Sequence, residues 1–154
     1  MKLETVYAYT DGSCWAKTRQ GGYGAYLIWK GYEEKIWAAF YNTTVNRMEL
    51  SAVIWVMENV QFGYPIIIHS DSKYVVESIN RGYVFDWIKS GEIRFRKNKD
   101  LWLRFYDLYN KHSKDKLTFK WVKGHVGNDG NEEADRLAGM WKTNKDRLIK
   151  DLDT

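Results

Sequence analysis

Hydrophobic and polar positions in the first forty residues follow the pattern of β-strands. Three β-like runs cover residues 4–10, 22–30 and 34–41, and Gly-rich or charged turns at Gly21-Gly22 and Lys30-Gly31 separate them. Short runs divided by turn residues are typical of an antiparallel meander. This part of the chain is therefore predicted to form three antiparallel strands.

Helical spacing begins after the third run. Residues 45–61 place apolar side chains such as Met48 and Ala52 at helical intervals, and Thr43 or Thr44 can serve as the N-cap. This segment is predicted to be the first helix.

The rest of the chain mixes strands and helices. The continuously apolar run Ile66-Ile67-Ile68 predicts a central strand that is covered on both faces. The later runs predict a helix from Ser72 to about residue 80, a short helix after Gly82, a basic loop, a helix over 100–111, a strand over 117–121 and a helix from about residue 131. This order predicts an α/β fold whose mixed five-stranded sheet, with three antiparallel strands and then two parallel ones, is flanked by helices. No Pro- or Ser-rich linker divides the 154 residues, so we expect a single domain over 1–154.

The charge of the chain is unevenly distributed. The net charge is +4, but residues 81–124 contain twelve Lys or Arg against five Asp or Glu, which leaves the remainder negative. A basic region beside an acidic one suits a polyanion that is gripped in one place and cut in another. Aromatic residues make up 16% of the chain, and their rings either fill the core or contact sugars and bases.

Cysteine content and hydropathy indicate the compartment. Cys14 is the only cysteine, so an intramolecular disulfide is excluded and a reducing, cytoplasmic compartment is expected. The N-terminus has no apolar signal region, and no run approaches the roughly 20 apolar residues of a membrane span. We expect no membrane partner.

Four acids lie where strand ends and helix starts are predicted to meet. Asp11 closes the first β-like run, Asp71 follows the apolar strand, Glu49 lies early in the first helix, and Asp135 lies near the start of the last. Ligand sites in such sheets form at strand ends near a topological switch, so we expect the four carboxylates to converge. A cluster of acids without matching bases repels itself, which implies bound divalent cations. The sequence has neither a His/Cys cluster with zinc spacing nor a Gly-x-x-x-x-Gly-Lys-Ser/Thr loop.

Six motifs in register resemble those of type 1 ribonuclease H. They are Thr10–Ser13, Gly21–Gly24, Asn46–Leu50, Asp71–Val75, Trp121–His125 and Asn131–Asp135. The similarity runs from about residue 4 to residue 142. It implies a ribonuclease H-like fold and endonucleolytic hydrolysis of the RNA strand of RNA/DNA hybrids, with 5′-phosphate and 3′-hydroxyl ends. It also implies two Mg²⁺ ions, for which Mn²⁺ could substitute.

Carried over position by position, the resemblance assigns the catalytic residues. It makes Asp11 the ligand that bridges both metals, places Glu49 and Asp71 on one metal and Asp135 on the other, and makes His125 the mobile histidine beside the site. The chemistry agrees with these residue types, because two ions about 3.5–4 Å apart can activate a water and relieve charge at the leaving 3′ oxygen.

Further residues are expected to contact the substrate. The resemblance places Asn46 at the sugar edge of the substrate and Thr44 near a phosphate of the DNA strand. Trp87 could add a stacking or sugar contact, with core packing as the alternative. We define the basic segment as Arg94, Arg96, Lys97 and Lys99. It is expected to bind phosphates as the basic handle of the family does, although a solvated charged loop is the alternative.

The chain departs from the family pattern at three places. Trp15–Gln20 replaces the usual Asn-, Pro- and Gly-rich loop, Val45 stands where asparagine is common, and Lys73 stands where a glutamine often contacts the RNA. These differences affect fine substrate contacts and leave the chemistry unchanged.

Of two rival functions, one comes from another functional class and one from within the same fold group. A non-catalytic module that binds hybrids or double-stranded RNA would be expected to lack one of the acids, and none is missing. A DNA-directed recombinase or resolvase would carry additional domains and no basic handle. We therefore predict a monomeric magnesium-dependent ribonuclease H.

Overall fold

A mixed β-sheet lies at the centre of the molecule. The structure is a computed structural model that describes residues 2–124 and 129–151. Within these residues the strands are β1 Val6–Trp15, β2 Gln20–Trp29, β3 Tyr32–Tyr41, β4 Ile66–Ser70, β5 Leu117–Trp121 and β6 Ile149–Lys150. Their order across the sheet is β5-β4-β1-β2-β3-β6. The pairs β1–β2 and β2–β3 are antiparallel, whereas β4 pairs parallel with both β1 and β5.

The predicted α/β fold is confirmed, with one strand more than expected. The sixth strand pairs in parallel with the end of β3, where Phe40 lies opposite Ile149 and Tyr41 opposite Lys150. A strand of two residues has no hydrophobic period that a sequence could display, so the prediction of five strands was wrong in this detail.

The first hairpin also differs from the prediction. Gly21 and Gly22 do not form a turn but lie within β2, paired with Cys14 and Ser13 of β1. Both strands are therefore longer than expected, and the turn is displaced to residues 16–19. Close packing within the sheet explains why position 22 is glycine. A β-carbon there would be only 2.5 Å from the Ala38 carbonyl oxygen.

The helices agree with the predicted order. They are α1 Val45–Asn59, α2 Lys73–Asn80, α3 Tyr83–Ser90, α4 Lys99–His112 and α5 Asp129–Ala138. Short 3₁₀ segments occupy Glu92–Phe95, Lys114–Lys116, Met140–Thr143 and Lys145–Arg147, so the predicted basic loop contains one helical turn. In the part of the chain that the structure describes, no helix is both long enough and apolar enough to cross a lipid bilayer.

Two layers of helix cover the sheet. Helix α1 packs on β1 and β2 and against α4, and its Leu50 and Ile54 belong to the same buried cluster as Ile68 of β4 and Phe105 of α4. Helix α5 packs on β1, β2 and β3. Trp102, Trp141 and Phe105 are fully buried, so much of the high aromatic content fills the core.

Candidate active site

The register of two central strands places Asp11 beside Asp71. Thr10 of β1 lies opposite Ser70 of β4, and the two aspartates are the residues that follow this pair. Strand β4 ends at Ser70, but β1 continues to Trp15, so Asp11 lies within its strand and does not close it as predicted. Convergence still follows, because Asp11 lies level with the end of the neighbouring strand.

Helix α1 carries Glu49 to the same place. The helix begins after Thr44, whose hydroxyl accepts a hydrogen bond from the Arg47 backbone N–H at 3.2 Å. It passes directly over Gly12, where a β-carbon would lie 2.4 Å from the Glu49 backbone nitrogen. Any other residue at position 12 would push Glu49 away from the sheet.

Three carboxylates form one cluster. Asp11, Glu49 and Asp71 each offer an oxygen, and these atoms lie within 4.8 Å of one another. Asp11 is 4% exposed and Glu49 is 7% exposed, whereas Asp71 is partly open to solvent. Glu49 Oε2 is buried and accepts no hydrogen bond from any residue that the structure describes. A buried carboxylate oxygen without a donor, on a side chain that belongs to a group of acids, fits the oxygen coordination that divalent cations require.

The fourth acid approaches from the last helix. Asp135 is exposed on α5, and its side chain shares a hydrogen bond with Asp11, so it lies beside the three-acid cluster rather than within it. The prediction placed Asp135 near the start of the last helix. Because α5 begins at Asp129, Asp135 instead lies in the second half of that helix. The close approach depends on Gly24, where a β-carbon would be 2.4 Å from Leu137 Cβ.

Crowding changes the proton affinity of the two buried acids. Burial raises the pKa of Asp11 far above its usual value, and the charges of Glu49 and Asp71 raise it further. Burial and the charge of Asp71 also raise the pKa of Glu49, although hydrogen bonds from Asp11 and from the Gly12 backbone lower it in part. The site therefore disfavours the ionised forms of Asp11 and Glu49, and a bound divalent cation would offset that cost.

The segment that leads to His125 passes against the cluster. A β-carbon on Gly124 would lie 2.9 Å from Asp71 Oδ2, and the Trp121 indole N–H donates to the Asp71 carbonyl oxygen at 3.1 Å. Lys73, at a position where the family often has glutamine, lies with its Nζ 5.0 Å from the centre of the Trp121 ring. His125 itself falls outside the described residues, so its predicted role stays a prediction.

Two predicted substrate contacts lie at the start of α1. Both are exposed there: Thr44 is the N-cap, five residues before Glu49, and Asn46 lies in the first turn, three residues before it. Both side chains are therefore open to a ligand that approaches the acid cluster from this side.

The basic segment covers the connection from α3 to α4 and the first residue of α4, and three of its four cations have local partners. Arg96 pairs with Glu92 and covers the Trp87 ring with its guanidinium carbon 4.4 Å from the ring centre. Arg94 lies 5.0 Å from the Phe95 ring centre, and Lys99 Nζ donates to the Arg94 carbonyl oxygen at 3.4 Å. Lys97 is exposed.

Trp87 has a clear packing role. It is half-buried, and its ring meets the edge of Trp102 with 6.4 Å between the ring centres. This contact joins α3 to α4, and the Trp87 surface that remains supports Arg96.

The sequence analysis missed a buried arginine on α1, Arg47. Arg47 donates from Nη1 and Nη2 to the two Asp100 carboxylate oxygens at 2.9 and 2.8 Å, and from Nε and Nη2 to Asp151 at 2.8 and 3.0 Å. The Thr43 hydroxyl also donates to Asp151 at 2.6 Å. Arg47 was noted only as part of a motif, and its sole signal is that it lies three residues before Leu50, on the buried side of α1.

Comparison with known proteins agrees with this geometry. The RNase H family model matches residues 3–141. A protein of Pseudomonas putida strain W619 named "Ribonuclease H" is 40% identical over 139 residues, which cover 88% of this chain and 91% of that protein. A "Ribonuclease H" of Orientia tsutsugamushi strain Boryong is 38% identical over 149 residues, which cover 94% of this chain and 86% of that protein. A crystal structure of a type 1 RNase H with the type 2 active-site motif aligns with a TM-score of 0.77 and 26% identity, covering 94% of this chain and 74% of that one.

Proposed function

Since the chain belongs to the ribonuclease H family, a family of metal-dependent nucleases, we propose that it cuts the RNA strand of RNA/DNA hybrids at internal positions and leaves 5′-phosphate and 3′-hydroxyl ends. The observation that carries this proposal is the cluster of Asp11, Glu49 and Asp71 within 4.8 Å. Buried acids held this close repel one another when ionised, and bound divalent cations would offset that repulsion.

The acids divide naturally between two ions. Asp11 interacts with the charges of all the others, which suits a bridging ligand, while Glu49 and Asp71 would hold one ion and Asp135 the other. Two Mg²⁺ ions, or Mn²⁺ as a substitute, would activate the attacking water and stabilise the charge on the leaving 3′ oxygen. The chain itself supplies rigid positions, because Gly12 and Gly24 hold both acid-bearing helices against the sheet.

The exposed start of α1 supports the choice of substrate. Thr44 and Asn46 can donate hydrogen bonds to a groove without reading bases. A hybrid displays 2′-hydroxyls on one strand only, so contacts of this kind can distinguish its strands by shape and sugar. The basic segment would add non-specific attraction for phosphates. We propose that His125 moves a proton or assists product release.

Cleavage of labelled duplexes in Mg²⁺ tests the proposal. The hybrid should be cut in its RNA strand at many sequences, whereas duplex DNA should stay intact, and Asp71→Asn should serve as the inactive control. Tight binding of the hybrid without any cleavage would favour a non-catalytic binding module. Digestion of duplex DNA under the same conditions would favour a DNA-directed nuclease. The expected monomeric state and cytoplasmic location stay predictions.

A further inference from the structure

The unusual loop after β1 carries an exposed ring among cations. Trp15 is 49% exposed, and Lys145 Nζ lies 5.3 Å from its ring centre. Lys17 and Arg19 are exposed in the same loop. We call Trp15, Lys17, Arg19 and Lys145 the Trp15 platform.

The platform is held rigidly from below. The Trp15 ring meets the Trp141 ring at 83° with 5.3 Å between centres, and Trp141 is fully buried. The Trp141 indole N–H donates to Ser13 Oγ at 2.8 Å, and that hydroxyl donates to the Ala138 carbonyl oxygen at 2.8 Å. A large ring that is fixed in place yet half exposed is suited to contact with a ligand.

The two segments that carry the platform are basic. The segments 15–20 and 142–145 together contain four basic residues and no acidic residue. Cations interleaved with an aromatic ring are typical of surfaces that follow a nucleic-acid backbone. An ordinary solvated rim would more often mix charges of both signs.

The platform is continuous with the start of α1. Arg19 Nε donates to the Thr43 carbonyl oxygen at 3.2 Å, and the Thr43 backbone N–H donates to the Arg19 carbonyl oxygen at 3.0 Å. The platform is thus fastened to the residue before Thr44. Trp15 lies four residues beyond Asp11 on β1, which is roughly 14 Å along the strand.

We propose that the Trp15 platform binds the sugar–phosphate backbone of the DNA strand of the hybrid, so that Lys17, Arg19 and Lys145 neutralise phosphates while the Trp15 ring packs on a deoxyribose. The inference rests on the proposed function, because Thr44, to which the platform is joined, is expected at a DNA-strand phosphate. A deoxyribose lacks the 2′-hydroxyl and presents a more apolar face to an indole than a ribose does.

Kinetics and binding with matched variants test the platform. The double variant Lys17→Ala/Lys145→Ala removes surface cations without disturbing Trp141. Its KM should rise roughly three- to tenfold with kcat nearly unchanged. The log–log salt slope of hybrid binding, measured in chelator so that no strand is cut, should become shallower by up to roughly 0.9 for each phosphate that is no longer neutralised. Trp15→Ala should raise KM as well, and Trp15→Phe should bring KM most of the way back to the wild-type value.

The chain offers a control at the far end of β2. Lys30 Nζ lies 4.9 Å from the Trp29 ring centre, so Lys30→Ala removes the same type of cation–ring pair far from the acid cluster. Its KM and salt slope should match those of the wild type. A rise of KM in Lys30→Ala equal to that in the double variant would reduce the effect to net charge and overturn the platform.

Neutralised backbones test the assignment to one strand. Methylphosphonate linkages in the DNA strand should weaken wild-type binding and abolish the difference between wild type and the double variant. If the difference survives on that hybrid, the cations do not contact the DNA strand and the proposal fails. Failure of the wild type to cut any hybrid would instead refute the proposed function, so the two failures are distinguishable.

Discussion

Replacing the buried Arg47 by leucine should destabilise the protein strongly. Arg47 is 1% exposed and donates four hydrogen bonds of 2.8–3.0 Å to Asp100 and Asp151. Leucine would fill part of the volume but would leave Asp151, itself 6% exposed, without the guanidinium that it faces. Removal of one partner from a buried ion pair typically costs about 3–5 kcal/mol.

The two carboxylates should contribute unequally. The Asp100 side chain is 41% exposed, so water screens its pairing with Arg47 and Asp100→Asn should cost only about 1 kcal/mol. For a chain of this size, 1 kcal/mol corresponds to about 2–4 °C in Tm, so Arg47→Leu should melt about 10 °C below the wild type. Asp151→Asn should fall between the two.

Low pH should reduce the difference in Tm between the wild type and Asp100→Asn. The hydrogen bonds from Arg47 hold the pKa of Asp100 below its usual value of 3.8. Because the folded-state pKa is depressed, the stabilisation from this carboxylate is present above the unfolded-state pKa and is lost as the pH falls through the folded-state pKa. The Tm gap between wild type and Asp100→Asn should therefore be constant near neutrality and close below about pH 4.

Calorimetry or circular dichroism at several pH values provides the assay. The double variant Arg47→Leu/Asp151→Leu should recover part of the stability lost in Arg47→Leu, because no buried charge is then left without its partner. A Tm for Arg47→Leu within about 2–3 °C of the wild type, or a double variant that is fully additive, would refute the reasoning.

Four further predictions concern the acid cluster and the basic segment. Asp11→Asn should abolish cleavage in Mg²⁺ but retain hybrid binding; because burial raises the pKa of Asp11 in the folded state, the variant should also melt above the metal-free wild type at neutral pH, and this gain should vanish near pH 4, as calorimetry would show. Asp71→Asn should leave essentially no turnover, whereas His125→Ala should remain measurable at roughly 10²–10⁴-fold reduced rate. A fourfold alanine variant of the basic segment should show a higher KM, a shallower salt slope and nearly normal kcat at saturating hybrid. Gly24→Ala should reduce turnover without changing any carboxylate, because it pushes α5 outward.

The convergence of the acids could be predicted because each lies in a strongly patterned element. Asp71 follows a continuously apolar strand and Glu49 lies early in a helix with apolar periodicity, so their places in the fold depend on local signals. The register that sets Asp11 level with Asp71 is a tertiary property, yet parallel pairing of the two central strands leaves few alternatives. Strand and helix ends were predicted less well, as the extension of β1 to Trp15 shows.

Other features depend on contacts that no short pattern encodes. The pairing of β6 joins residues that are more than a hundred positions apart in the sequence. The Asp151 carboxylate likewise contacts Arg47 and Thr43, which are more than a hundred positions earlier in the chain. A charged residue within a helix, such as Arg47, is also expected to be exposed to solvent unless its partners are known. The requirement for glycine at position 12 follows only from the passage of α1 over it.

The Arg47 network explains how the acids can be kept together despite their repulsion. Glu49 is repelled by its neighbours when ionised, and a helix that could slide would carry it away from the sheet. Two contacts oppose this motion, since Gly12 fixes the distance of α1 from β1 and Arg47, two residues before Glu49, ties α1 to the start of α4. Arg47 also contacts the basic segment, because its Nη1 lies 3.4 Å from Oδ1 of Asn98, the residue between Lys97 and Lys99. Glu49, expected to hold metal, and the basic segment, expected to hold substrate, are therefore joined through this junction of α1 and α4, and loosening it should lower metal affinity and hybrid affinity together.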